Sequence, residues 1–223
     1  MTAYLRVCLV VVTYLAVAAS LPAAVFERDW KMPGDGLLTY DDVNQREWLD
    51  LPVSLLSQFP TPRYENAVAE TAPGGVFEGF TLAKSPDVIA LAESAGIDMS
   101  TIEYEVNGET ISRLVGLLGP TIGSLPGFAR SQGFLDERAL PFPGAPSTTP
   151  VAAIFHHDPP DDARLLFTAS EDLLAVQSAG LMLYRVIPEP NTICLIALMG
   201  LIVAATRMHR GITSKFADSI IRD

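Results

Sequence analysis

The stretch GDGLLTYDDVNQREWLDLPVSL, residues 34–55, opens on a glycine turn and then places Leu38 and Tyr40 on one face of an extended segment. Alternation at period two marks a strand with one buried side. Trp48, Leu49 and Leu51 close a second apolar patch after the polar run 41–46, so the two segments read as the strands of a β-hairpin, with Trp48 in the core. Working outward from this hairpin, residues 63–71 form a helix that ends at Pro73-Gly74-Gly75, and residues 77–82 read as extended. A second helix has Ser85 as N-cap and Pro86 at its first position, carries Val88, Ile89, Leu91 and Ala92 at helical spacing, and stops at Gly96.

Asn107-Gly108 reads as a turn, followed by a short helix with Ile111, Leu114, Val115 and Leu118 facing inward and Gly119-Pro120 as its stop. The chain is then rich in Gly, Pro and Ser up to Pro150 and reads as loop, after which 151–155, 164–169 and 181–186 read as strands. The predicted fold is α+β: one small mixed sheet with a few short helices and no internal repeat. It occupies residues 25–185.

Both ends of the 223-residue chain lie outside that fold. Arg6, the apolar run 7–19 and the small residues 20–24 follow the order of a secretory signal peptide. Thirteen residues make a helix of only about 20 Å, too short for a stable anchor. Residues 1–24 are therefore predicted to engage the Sec translocon and signal peptidase. At the other end, Pro188-Glu189-Pro190 precedes the uncharged run 192–206, which Arg207 and Arg210 close before a tail at 211–223. The two prolines withhold two N–H donors and keep 186–191 extended. The run makes a helix of about 22 Å, short for a hydrocarbon core of about 30 Å, with its basic side placed in the cytoplasm by the positive-inside rule.

Between residues 25 and 190 there are 24 acidic and 10 basic side chains, a net of −14. Such a surface repels nucleic acid. The two cysteines, Cys8 and Cys194, both fall in the terminal apolar runs, so the exported part is predicted to fold without disulfides.

Residues 186–210 resemble the PEP-CTERM sorting signal of Gram-negative bacteria: a Pro-Glu-Pro motif, a short transmembrane helix and a basic cluster, in that order and behind an N-terminal signal. The cluster here is Arg207-Met208-His209-Arg210, with thirteen residues after it. The resemblance implies an exosortase as partner, processing at Pro188, Glu189 and Pro190, and release or attachment at the cell surface, with extracellular polysaccharide as a further partner. Residues 35–41, 47–51, 78–97, 114–119 and 183–190 also resemble, in order, the phrases of an ectodomain found on many such proteins. That ectodomain is distantly similar to a lectin-like adhesin domain, and no catalytic residues come with it.

Three chemistries merit weighing. In FHHDPPDD, residues 155–162, His156, His157, Asp158, Asp161 and Asp162 supply metal-ligand types that a hydrolase could use, although adjacent histidines on a strand point to opposite faces and a solvated turn fits better. Glu103 and Glu105 share one face of an extended segment, as an acid–base pair would. Trp30 and Tyr40 could stack on a sugar, with Trp30 exposed between Asp29 and Lys31. Nucleophile elbow, phosphate loop and zinc-finger spacing are all missing, so no cofactor is predicted. The reading is an exported, non-enzymatic surface protein, with a carbohydrate-binding adhesin or a metal-dependent hydrolase as alternatives.

Overall fold

The computed structural model describes residues 25–59, 64–139, 149–169 and 178–187. The predicted signal peptide, the Pro-Glu-Pro motif, the helix predicted over 192–206, Arg207 and Arg210 lie outside the described residues. Among those described, no helix is long and apolar enough to cross a membrane. The chain divides into two compact units, 1–186 and 187–223.

The fold is α+β, with two sheets where the sequence reading expected one. The first contains β1 (Val25–Arg28), β2 (Leu38–Asp41), β3 (Arg46–Leu49), β4 (Thr81–Leu82) and β10 (Leu183–Val186), in the order β1-β2-β3-β10-β4. All of its pairings are antiparallel. The hairpin falls where expected, with Leu38 opposite Leu49 and Thr39 opposite Trp48. Asp41 fixes its turn by accepting from the N–H groups of Val43 and Asn44. Trp48 is fully buried and stacks at 5.3 Å on Tyr184, its partner on β10.

The second sheet holds β5 (Ile122–Gly123), β6 (Ala129–Ala139), β7 (Thr149–Asp158) and β8 (Asp162–Ala169) in chain order, with β9 (Gly180–Leu181) parallel to β6. The expectation of loop from 120 to 150 is corrected here: Ala129–Ala139 is an eleven-residue central strand. Its pattern hid because Ser131, Gln132 and Gly133 occupy buried positions where an apolar side chain announces a strand.

Three α-helices lie among the described residues, α1 (Tyr64–Ala69), α2 (Ser85–Ala95) and α3 (Tyr104–Leu118). Lys84, not Ser85, is the N-cap of α2: Asp87 accepts the Lys84 N–H at 2.9 Å, while the N–H and hydroxyl of Ser85 both bind Glu137 at 2.7 Å. Gly96, at φ 87°, ends the helix as expected. Residues 77–79 are turn rather than strand: the N–H groups of Phe77, Glu78 and Phe80 go to the carbonyls of Glu70, Gly75 and Phe77 instead of to a neighbouring strand.

The predicted Asn107-Gly108 turn is instead inside α3. Asn107 is buried there and ties the preceding loop to the helix, accepting from Asp98 N–H at 2.9 Å and donating to the carbonyls of Asp98 and Thr101. A side chain that replaces backbone partners in this way makes the helical state cheaper than the turn. Glu103 and Glu105 accordingly sit exposed at the helix start, not on a strand face.

α3 packs against β6, β7 and β8 on one side and β1 and β2 on the other. Ile111, Leu114, Val115 and Leu118 meet Trp48, Ala153 and Phe155 in one core. A second core joins Leu38, Leu49 and Leu183 to Phe77, Phe80 and Phe134. The sheets are coupled at Met182, the single residue between β9 and β10, whose N–H binds Phe134 O at 3.0 Å and whose carbonyl accepts from Ala83 N–H at 2.7 Å.

Gly180 makes that crossing possible. A Cβ there would lie 2.4 Å from the carbonyl oxygen of Leu51 and 2.8 Å from Ser54 Oγ, and one at its partner Gly133 would lie 2.6 Å from Leu51 Cδ2. Ser54 Oγ accepts from Leu181 N–H at 2.9 Å, and Leu56 N–H binds Ala179 O at 3.1 Å. Gly180→Ala is therefore expected to destabilise the domain by about 1–3 kcal/mol through overpacking against backbone. Thermal unfolding checks this, the loss being roughly 2–4 °C in Tm for each kcal/mol.

Candidate functional site

The His-Asp segment is where ligand-type side chains gather, and its geometry follows from strand alternation. His156 and His157 stand on β7, both buried, rather than in a solvated turn. Burial wins because β7 is central, paired with β6 on one side and β8 on the other. The two rings face opposite sides of the sheet as alternation demands. They cannot converge on one ion. Among the described residues no three His, Cys, Asp or Glu side chains could hold a metal ion.

His157 faces α3. Its Nδ1 lies 3.1 Å from the carbonyl oxygen of Gly127, which can only accept, so Nδ1 carries the proton. In the neutral ring Nε2 then accepts from the Tyr104 hydroxyl at 3.2 Å. Tyr104 reaches it because Gly108, one turn later, has no side chain: a Cβ there would lie 2.7 Å from the Tyr104 ring. Both nitrogens of His157 are thus occupied by the fold, which gives this histidine a structural task.

His156 faces outward and belongs to a cross-strand row. The register sets Arg130 of β6 beside it on one flank and Arg164 of β8 on the other. His156 Nδ1 lies 3.3 Å from Asp162 Oδ2, and Arg164 Nε stands at ion-pair distance from the same oxygen, 2.9 Å, without hydrogen-bond alignment. Phe128 packs edge-on against the imidazole at 5.6 Å. Burial first, and then the guanidinium of Arg130, hold the His156 pKa below the usual imidazole value against the pull of Asp162 and Asp158. Asp158 and Asp161 shape the turn to β8, where Asp161 N–H binds Asp158 O at 2.8 Å. Sequence reasoning found His156 and Asp162 here and missed Arg130 and Arg164, since only strand register makes them neighbours.

The two aromatics expected to stack on sugar are apart from this row and are already covered. Tyr40 is buried, with the Arg28 guanidinium 3.7 Å above its ring and its hydroxyl donating to Gln45 Oε1 at 2.9 Å. Trp30 is half-buried against Phe77 and Phe80, with Lys31 Nζ 3.8 Å over its ring. The expectation of an exposed Trp30 fails because Asp35 winds its loop inward, accepting the N–H groups of Trp30, Lys31 and Met32. Those bonds, that from Trp30 foremost, lower the Asp35 pKa to about 2. Beside Tyr40, Glu47 bridges Arg28 at 3.2 Å and Arg185 at 2.7 Å and leaves both guanidinium groups engaged.

The chain matches no family model, no curated protein and no solved structure.

Half-buried Asp50 and buried His156 give the domain opposed pH dependences. Asp50, just past β3, has its pKa raised to about 7 by burial first and then by Glu27 and Asp35, so the folded state holds its proton. Its contribution is complete below the unfolded value of 3.8 and is lost as pH rises through about 7. The lowered pKa of His156 acts the other way: its contribution is complete above the unfolded value of 6.5 and is lost as pH falls below it. In Tm measured against pH, Asp50→Asn is expected to remove a decline between about 4 and 7. His156→Gln is expected to remove a loss on the acid side of 6.5.

Proposed function

We propose that this is an exported, non-enzymatic protein of a Gram-negative bacterium, sorted through a PEP-CTERM signal to the cell surface or the extracellular matrix, with a lectin-like domain that works by binding. In this reading the segment 1–24 takes the chain through the Sec translocon and is removed by signal peptidase. Pro188, Glu189 and Pro190 then present an extended grip to an exosortase, and Arg207 and Arg210 hold the cytoplasmic side of the short helix.

One observation carries the proposal. The compact unit ends at Val186, the last residue of β10, and the Pro-Glu-Pro motif begins two residues later. β10 lies inside its sheet, paired to β3 and to β4. Cleavage at the motif would therefore remove none of the described strands and break none of their pairings, which is what a removable address label requires of the domain it is attached to.

The sorting step is tested by expressing the full chain in an exosortase-bearing host, with residues 188–190 intact or replaced by alanines, and measuring the C-terminal mass of the exported product. Loss of the segment after about residue 190 in the intact chain alone is the expected result. An unprocessed C-terminus in both would make the helix a plain anchor and overturn the sorting proposal.

A further inference from the structure

Among the described residues the second sheet ends in a long strand with one open side. β8 stands last in its order and runs eight residues, whereas the other strands at the sheet ends, β1, β4 and β5, run four, two and two. Bulges, prolines and charges are what ordinarily blunt such an edge. The register of β8 with β7 is unbroken, and residues 163–169 contain no proline and no carboxylate; their one cation, Arg164, is paired with Asp162. Ala163 N–H points out of the sheet to Ile102 O at 3.3 Å, which fixes the phase of the strand. Alternation in an antiparallel ladder then turns the N–H and carbonyl groups of Leu165, Phe167 and Ala169 outward as well, and those of Arg164, Leu166 and Thr168 toward β7. Among the described residues no backbone hydrogen bond answers this outward set. Phe167 is 37% exposed and Thr168 is exposed, so an approaching chain can reach it.

An edge without acid in a strongly acidic chain suits a second copy of that chain. Residues 25–190 carry a net of −14, so two copies repel over most of their surfaces and can meet where carboxylates are missing. The edge is also its own complement. In an antiparallel pairing with the two-fold axis at Phe167, Leu165 lies opposite Ala169 of the second copy and Phe167 opposite its own equivalent, and every outward N–H meets an outward carbonyl. The two Phe167 rings then form a cross-strand aromatic pair on the face where Leu165 packs into the α3 core. We propose that β8 is a homodimerisation edge, at which residues 165–169 of two copies join their second sheets into one. So short a strand pairing buries less than the standard interface of about 800 Å² per partner, so the dimer is weak and exchanges. It goes beyond the sorting proposal, and its test needs no processing of the tail.

The test is disulfide trapping of the full chain, in enough nonionic detergent that each micelle holds one chain, with Cys8 and Cys194 changed to serine so that only introduced thiols react. Leu165→Cys and Ala169→Cys chains are prepared separately, then oxidised alone and as a mixture. Opposed positions, about 5.5 Å apart between Cα atoms, permit a disulfide, whereas each cysteine lies more than about 13 Å from its own equivalent across the axis. The mixture is expected to cross-link at least about fivefold faster than either population alone, and than Phe26→Cys on β1, which reports chance collision. Phe167→Pro removes an outward N–H and no bond to β7, and Phe167→Lys puts a charge on the axis; each should bring the mixture down to the chance rate, with circular dichroism confirming the fold. A mixture that cross-links no faster than its separate populations leaves the edge to solvent or to a different chain and overturns the proposal. So does a trapping rate unchanged in the folded Phe167 variants.

Discussion

The contact of Gly180 with the Leu51–Ser54 turn is the constraint on which the architecture depends. The hairpin belongs to one sheet and β6 to the other, and the chain passes between them in the single residue Met182. That crossing is possible only if backbone meets backbone, and Gly133 and Gly180, directly paired, supply the missing side chains. Ser54 then binds the crossing strand through its hydroxyl. Two sheets held this closely need no disulfide to fix their relation. Their shared cores, one around α3 and one around Phe134, close on either side of the joint.

The electrostatics of the domain follow from a shortage of cations. With 10 basic against 24 acidic side chains between residues 25 and 190, a basic group tends to be claimed by a carboxylate. Arg28 and Arg185 share Glu47, and Arg46 holds Asp87 at 2.9 Å. Several carboxylates are satisfied by backbone instead: Asp35 and Asp41 each wind a turn around their oxygens. Two of the described arginines are held without a carboxylate: Arg113 donates to the Ala95 carbonyl at 3.2 Å, and Arg130 lies against the His156 imidazole and the Phe128 ring.

Much of the fold was legible wherever side-chain character and backbone preference agreed. The 34–55 hairpin, the glycine stops at Gly96 and Gly119, the inward face of α3 and the β7 and β8 strands all followed from period and punctuation. Legibility failed where a polar residue did a core task. Asn107 in a helix, Ser131 and Gln132 in a central strand and buried His156 and His157 each carry the local signature of a turn or loop. Their partners, Asp98, Gly119, Tyr104 and Asp162 among them, are supplied by packing. The same blindness applied to the site: alternation split the two histidines correctly, but no spacing in the chain could bring Arg130 and Arg164 to either side of His156.

By itself the sequence determined the acidic balance, the absence of cysteine between residues 25 and 190, the hairpin with its buried Trp48, and the motifs at both ends, because these depend on composition and on neighbours a few residues apart. Only the tertiary structure decided that there are two sheets, that Trp30 and Tyr40 are covered, and that Arg130 shares a row with His156 and Asp162. Those facts depend on which strands pair and in what register, a choice made by the burial of whole faces rather than by any local run of residues.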